Sequence, residues 1–327
     1  MWHKKLSKEE LNAQLIEAVE AGNIENVKRL LEQGAKVDAR DNYGDKALMW
    51  AALYGQLDVV KYLFEHGAEV DARDKDGWTV LMWAARYGHL DVVKFLVEHE
   101  VDVNARSNGG WTAMMQAAGS DYLDVTKYLI DHGAYVDAKD KNGNTAMIWA
   151  AYGGHLDVVE YLVGQGTEVD VKDKNGMTAL MWAARYGHLA VVKFLVEQGA
   201  EVDARNKYGW TALMFAASLG YLDGYLDVVK YLVEQEADLS VKDNKGKTAA
   251  TIARENNYKK IADYLDSIMH RRDAMIDSLM REEGTSLALR PEILSILRTG
   301  QKQAYGILFE KAKKEHFYSF CNYSNRI

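Results

Sequence analysis

Apolar residues recur along most of this chain in two short blocks per unit, separated by polar turns. Residues 173–205 show the pattern. Leu180, Met181, Ala183 and Ala184 predict a short helix from Ala179 to about Tyr186, with this apolar set turned inward. Leu189, Val191, Val192, Phe194, Leu195 and Val196 predict a second helix over His188–Gln198. Asp173–Gly176 is a turn in which Gly176 is free to take positive φ, and Thr178 can cap the first helix. Gly187 and Gly199 stop the two helices. Ala183 and Ala184 are small enough to let helices of adjacent units approach closely.

The same pattern is written repeatedly. Residues 74–90 read DKDGWTVLMWAARYGHL and residues 173–189 read DKNGMTALMWAARYGHL, 99 residues apart, or three steps of 33. Units start at Asp41, Asp74, Ser107, Asp140, Asp173, Asn206 and Asp243. A fixed period of this size predicts a solenoid, because one unit cannot bury its own apolar face and must stack on its neighbours. Residues 8–40 lack the leading turn and read as an N-terminal cap; residues 243–269 are a degenerate, more polar last repeat. The sixth unit carries four extra residues, Tyr221–Gly224, echoed by Tyr225-Leu226-Asp227 and expected to lengthen the inter-helix turn. The division is therefore 1–269, the solenoid, and 270–327, a helical C-terminal extension.

Thr79–Ala85, Thr112–Ala118, Thr145–Ala151, Thr178–Ala184 and Thr211–Ala217 resemble the first helix of the ankyrin repeat family, and the G-H turn and G-A-x-V-D-A exit match as well. The resemblance covers roughly residues 8–269. It implies an all-α solenoid of helix-turn-helix units with β-hairpin-like fingers and a concave groove used for binding. Two departures are systematic. The family proline is Val80, Ala113, Ala146, Ala179 or Ala212, and the family histidine is Met82, Met115, Ile148, Met181 or Met214. Methionine exchanges a hydrogen-bonding tie for adaptable apolar packing.

Composition narrows the function. A net charge of −8 argues against nucleic-acid binding through a basic surface. The single cysteine, Cys321, excludes an internal disulfide framework and fits a reducing, cytoplasmic setting. The opening MWHKKLSKEELNAQ has no apolar run, so no signal peptide is expected, and no stretch approaches the ~18 apolar residues of a membrane span. His89, His155 and His188 hold the same turn position in different units, about 10 Å apart, too far for shared metal ligation. Cys321 with His316 has nothing to orient it as a nucleophile. No enzyme activity, metal or cofactor is expected, and the chain reads as a monomer.

Binding candidates stand at the variable positions. Trp78, Trp111 and Trp210 occupy the finger position before the capping threonine and read as exposed rings not needed for folding. Trp83 and Trp182 precede the two alanines, a position that can also be half-buried between helices; Arg86-Tyr87, Arg185-Tyr186 and Tyr54 follow them. Trp, Tyr and Arg dominate binding hot spots. Arg73, Lys75, Arg106, Lys139, Lys141, Lys172, Lys174, Arg205 and Lys207 fall on the fingers, so an acidic or phosphorylated protein partner suits the groove, although finger acids such as Asp71, Asp74, Asp76, Asp137 and Asp140 are interspersed. The expected function is a non-catalytic protein-interaction scaffold.

Two alternatives remain. Leu289-Arg290-Pro291-Glu292-Ile293-Leu294 is similar to the opening L-P-P-E-I-L of an F-box, with Arg290 departing from it, and further helices are predicted from Pro291 and over Gln301–Phe317. Docking through Leu289, Pro291, Glu292, Ile293 and Leu294 would make the chain a substrate adaptor of a cullin-type ubiquitin ligase. The second alternative is a sensor of a nucleotide or phosphorylated small ligand. Trp78, Trp111 and Trp210 match the position where the ankyrin part of the oligoadenylate-dependent ribonuclease stacks nucleobases, with Lys75, Lys141 or Lys174 as the finger lysine.

Overall fold

The computed structural model describes the backbone of residues 6–219 and 223–282. The F-box-like segment, the helix predicted over Gln301–Phe317, and the Cys321–His316 pair lie outside the described residues. The chain divides into two compact units, residues 1–179 and 180–327.

The first unit holds five helix pairs: α1 Lys8–Glu20 and α2 Ile24–Glu32, α3 Ala47–Leu53 and α4 Leu57–Glu65, α5 Val80–Arg86 and α6 Leu90–Glu98, α7 Ala113–Gly119 and α8 Leu123–Asp131, α9 Ala146–Gly153 and α10 Leu156–Gly164. First helices pack on first helices from α1 through α9, and second helices on second helices from α2 through α10. Helices of seven to nine residues are too short to persist alone, so packing holds them. The paired alanines of α3, α5, α7 and α9 are fully buried, as are Met82, Met115 and Ile148 where the family histidine would stand. Thr79, Thr112 and Thr145 accept from the N–H three residues on, at 3.3–3.4 Å, and so cap α5, α7 and α9. The expected helices, caps and apolar substitution are all present.

Successive pairs are tied by polar contacts as well. Finger donates to finger through the main chain: Asn108 N to Asp76 O, Lys141 N to Gly109 O and Lys174 N to Asn142 O, each at 2.8 Å. Gly143 has φ 85°, and a Cβ there would stand 2.9 Å from Lys174 N, so this approach requires glycine. The Nε2–H of His89 donates to Leu53 O at 2.8 Å and that of His155 to Gly119 O at 3.1 Å. His89 and His155 are thus structural, as expected. At the same register Tyr122 replaces histidine, and a Cβ on Gly88 would stand 2.2 Å from its ring. Among the second helices, Lys28, Lys61, Lys94 and Lys127 each lie 5.4–6.0 Å over an aromatic ring of the next pair.

The second unit contains α11 Ala179–Arg185 from Leu180 onward, α12 Leu189–Glu197, α13 Ala212–Ser218, α14 Asp223–Glu234, α15 Ala249–Glu255 and α16 Lys259–Glu282. Here α12 packs on α14, α13 on α14 and α15, and α15 on α16. The inserted residues were expected to lengthen a turn. Of these, Asp223 and Gly224 instead extend α14 to 12 residues against nine in α12, and Tyr225 is buried at the position that His188 holds. Residues 220–222 lie outside the described residues. The helix predicted past residue 270 is the end of α16.

One exit residue has a pH consequence. Asn104 accepts from Tyr135 N–H at 2.8 Å and donates Nδ2–H to Gly133 O at 2.9 Å, satisfying two backbone groups of the next pair. Asp203 holds the same register in the second unit and accepts from Asp238 N–H at 3.0 Å, but a carboxylate cannot make the second bond. Burial pushes the Asp203 carboxyl up, against the pull of the Asp238 N–H, with Asp238 and Glu201 adding repulsion. A raised carboxyl pKa favours the folded state as the group takes up its proton, so Asp203 burdens the fold at neutral pH and less so in acid. Asp203→Asn supplies the missing N–H toward Glu236 O. It is expected to stabilise the chain by about 1 kcal/mol at pH 7, with the gain shrinking as pH falls through the carboxylate range. Urea melts across pH measure this; a gain that does not change with pH contradicts it.

Candidate functional site

Each finger is built on one acidic or polar side chain. Asp74 Oδ1 accepts from the N–H groups of Asp76 and Trp78 at 2.9 and 2.8 Å, and Asp41, Asp140, Asp173, Asn206 and Asp243 make the same pair of bonds. The second oxygen is then free to take the indole N–H nine residues on: Trp50 to Asp41 at 3.1 Å and Trp83 to Asp74 at 3.2 Å. The tryptophan before the two alanines is half-buried, and its indole clamps finger to helix. At Trp149 the clamp is missing, because Asn144 Nδ2 occupies Asp140 Oδ2 at 3.1 Å and the buried indole nitrogen of Trp149 meets no acceptor.

These two environments predict opposite responses. Trp83→Phe removes a bond to a carboxylate and is expected to cost about 1–2 kcal/mol. Trp149→Phe removes a buried donor that has no partner, so it is expected to leave the melting temperature unchanged or raise it. Differential scanning calorimetry on the two variants checks both signs; equal losses would remove the argument.

The finger tryptophans are not the exposed rings that their variable position suggested. Trp78, Trp111 and Trp210 are half-buried because each packs on another ring. Trp78 lies on Trp83 with centroids 4.8 Å apart, and Trp210 on Phe215 at 5.0 Å. Trp111, with Gln116 in place of a ring in its own unit, lies on Trp149 at 4.3 Å. The Trp210 indole N–H also donates to Asp243 at 3.2 Å. Burial pushes the Asp243 carboxyl up, but the N–H groups of Lys247 and Lys245 and the Trp210 indole outweigh it and hold the group below its ordinary value.

Among the described residues the large aromatics that count as exposed are tyrosines. Tyr54 is 47% exposed and Tyr87 42%, stacked on Trp50 and Trp83 at 5.9 and 6.3 Å. Tyr152 lies edge-on to Trp149 at 5.6 Å, and in the second unit Tyr186 stacks on Trp182 at 6.2 Å. Tyr43 and Tyr208 are more exposed still, at finger tips, and the sequence reading passed over them. Their signal was available: they are third in a D/N-x-Y-G turn, where a side chain has no helix to pack on.

The finger arginines also differ from expectation. Arg73 donates to Arg106 O at 2.6 Å, Arg106 to Lys139 O, and Arg205 to Lys242 O at 2.8 Å. Arginine's long stem and several donors bridge adjacent fingers, so these charges are partly spent on structure rather than offered to a ligand. Arg86 is exposed, 5.4 Å over the Trp78 ring and bonded through Nη1 to Gln116 Oε1 at 3.2 Å. Arg185 is half-buried among Trp182, Tyr186 and Phe215, at 5.6, 6.0 and 5.6 Å. Asp45 holds the same tip position as Trp78; burial, then Asp41 and Asp74, push its carboxyl up.

Among the described residues no group of three or more His, Cys, Asp or Glu side chains is arranged to hold a metal ion, and no helix is long and apolar enough to cross a membrane. No curated protein matches the chain. The family model for ankyrin repeats (three copies) matches in overlapping windows, at residues 4–74, 67–140, 106–173, 136–206, 159–243 and 198–273. With five successive helix pairs in the first unit, capping threonines and main-chain-linked fingers, the chain is a member of the ankyrin repeat family.

Proposed function

We propose that the chain is a non-catalytic scaffold that holds a protein or peptide partner against the face formed by the finger turns and the C-terminal ends of the first helices. Ankyrin repeats are protein-interaction modules, and the surface of this one supports that use. The observation that carries the reading is the register of exposed tyrosines Tyr54, Tyr87 and Tyr152 in the first unit, each backed by a half-buried tryptophan; within the second unit Tyr186 is backed by Trp182 in the same way. An aromatic ring held rigid by a second ring offers contact area with little entropy left to lose on binding. None of the four belongs to the buried core.

The test is affinity capture from lysate with mass spectrometry, using the intact chain and Tyr54→Ala/Tyr87→Ala/Tyr152→Ala in parallel. These tyrosines are exposed, so the variant keeps its melting temperature while losing the partner. Identical proteins recovered by both baits would remove the face from consideration. Cullin-ligase subunits recovered with the intact chain would favour the adaptor reading instead.

A further inference from the structure

We propose that the second, third and fourth repeats form a receptor for one carboxylate of an acidic peptide segment, with Arg86, Gln116 and Trp149 as its donors. The inference deepens the scaffold reading above and rests on it. The position before the two alanines carries Trp50, Trp83 and Trp149 in three repeats of the first unit, but Gln116 in the third. Gln116 is 2% exposed. Its Oε1 is engaged by Arg86, which fixes the orientation of the amide and leaves the buried Nε2–H group with no acceptor. The indole nitrogen of Trp149 is likewise buried without one. Trp149 packs on α7 one turn beyond Gln116, since a Cβ on Gly119 would stand 3.3 Å from Trp149 Cβ. The donors therefore stand on α5, α7 and α9, three helices packed in sequence.

Arg86 is oriented before any ligand arrives. The Trp78 face and Gln116 Oε1 fix its guanidinium, whose remaining N–H groups are in an exposed side chain. With Gln116 Oε1 taken by Arg86, the N–H groups of Arg86, Gln116 Nε2 and Trp149 Nε1 still have bonds to make, and what such donors bind is an acceptor. A fork of N–H groups beside further N–H donors matches the two oxygens of a carboxylate. The same repeats carry acids. Asp74 accepts from Trp83, and Asp121, 60% exposed in its side chain, faces His155 at 3.5 Å. This field favours a monoanion over a doubly charged phosphate. The arginine at the same place in a near-identical unit provides an internal contrast. Arg185 meets Phe215 where Arg86 meets Gln116 and is surrounded by three rings, so that site lacks the polar floor.

The test probes the full chain with a positional-scanning array of 12-residue peptides, followed by fluorescence anisotropy on the best peptide labelled with fluorescein. Glu or Asp is expected at one fixed position, and its replacement by Gln or Asn should weaken binding about tenfold to a hundredfold. Arg86→Gln should cost as much. Gln116→Trp restores the residue of the neighbouring repeats and should erase the acidic preference while keeping the melting temperature. Arg29→Gln, which removes a charge from α2, should change nothing. Selection of peptides with no acidic position overturns the receptor and leaves the scaffold reading standing, as does an acidic preference that survives both Arg86→Gln and Gln116→Trp. Tighter binding of phosphoserine at the selected position overturns the carboxylate assignment. Binding of no peptide at all overturns the receptor, while the scaffold reading is decided by the lysate capture.

Discussion

Met115→Ala is expected to lower the stability of the chain by about 2–5 kcal/mol, the range for emptying a buried methionine site. Met115 is fully buried in α7, a seven-residue helix in which only Gly119 is not buried. Such a helix has no standing of its own, since its nucleation is unfavourable and its length too short to recover the loss. It persists because α5 packs on one side and α9 on the other. A cavity there weakens both contacts, and in a repeat array each contact is a nearest-neighbour link on which more distant pairs depend. Met115→Leu keeps the volume and is expected to cost less than about 1.5 kcal/mol. Urea unfolding followed by circular dichroism measures both. A broadened or split transition for the alanine variant would mean that the array has been cut at α7. A loss below about 1 kcal/mol would show that the site collapses around the cavity and that methionine is not what holds the stack here.

Much of the fold was legible because it is written seven times. The period, the capping threonines, the helix-stopping glycines and the paired alanines each follow from local rules that a repeat applies identically. The binding face was harder to read. A variable position tells that several side chains are tolerated there, but not whether each is covered by its neighbour, so Trp78, Trp111 and Trp210 read as exposed when rings five residues on, or in the next repeat, half cover them. Arg73, Arg106 and Arg205 read as ligand-facing charge because their acceptors are main-chain carbonyls, which no sequence pattern marks. One signal was present and went unread. Trp50 and Trp83 stand nine residues after Asp41 and Asp74; where the turn residue is Ser107 the partner is Gln116, and where it is Asn206 the partner is Phe215. That joint change between repeats marks where the indole–carboxylate clamp can form, as it does at Trp50 and Trp83 though not at Trp149, and it also picks out Gln116 as the residue that departs.

Stripping Lys46 of its two carboxylate partners, with Asp38→Asn and Glu69→Ala, is expected to cost about 3 kcal/mol. Lys46 stands where five other repeats in the described residues have a bonded capping threonine, and it makes no side-chain cap to α3. Its side chain is only 4% exposed, and its ammonium is bonded to Asp38 Oδ1 at 3.0 Å and to Glu69 Oε2. The arrangement is asymmetric, because the carboxylates are 38% and 63% exposed. Deprived of lysine, the two acids can return to water; deprived of the acids, the ammonium is enclosed with no counter-charge, and that is the costly direction. Asn is chosen at position 38 because Asp38 Oδ1 also accepts from Glu69 N–H at 3.3 Å, a bond the amide preserves. Adding Lys46→Thr removes the buried charge and restores the hydroxyl that caps α5, α7 and α9, so the triple variant should regain more than half of the loss. Lys46→Thr alone should cost little, within about 1 kcal/mol, since a lost cation is offset by a gained cap. A double-mutant cycle from urea melts gives the coupling directly. If the triple variant is no more stable than the double, the loss comes from the finger backbone and not from the stranded ammonium.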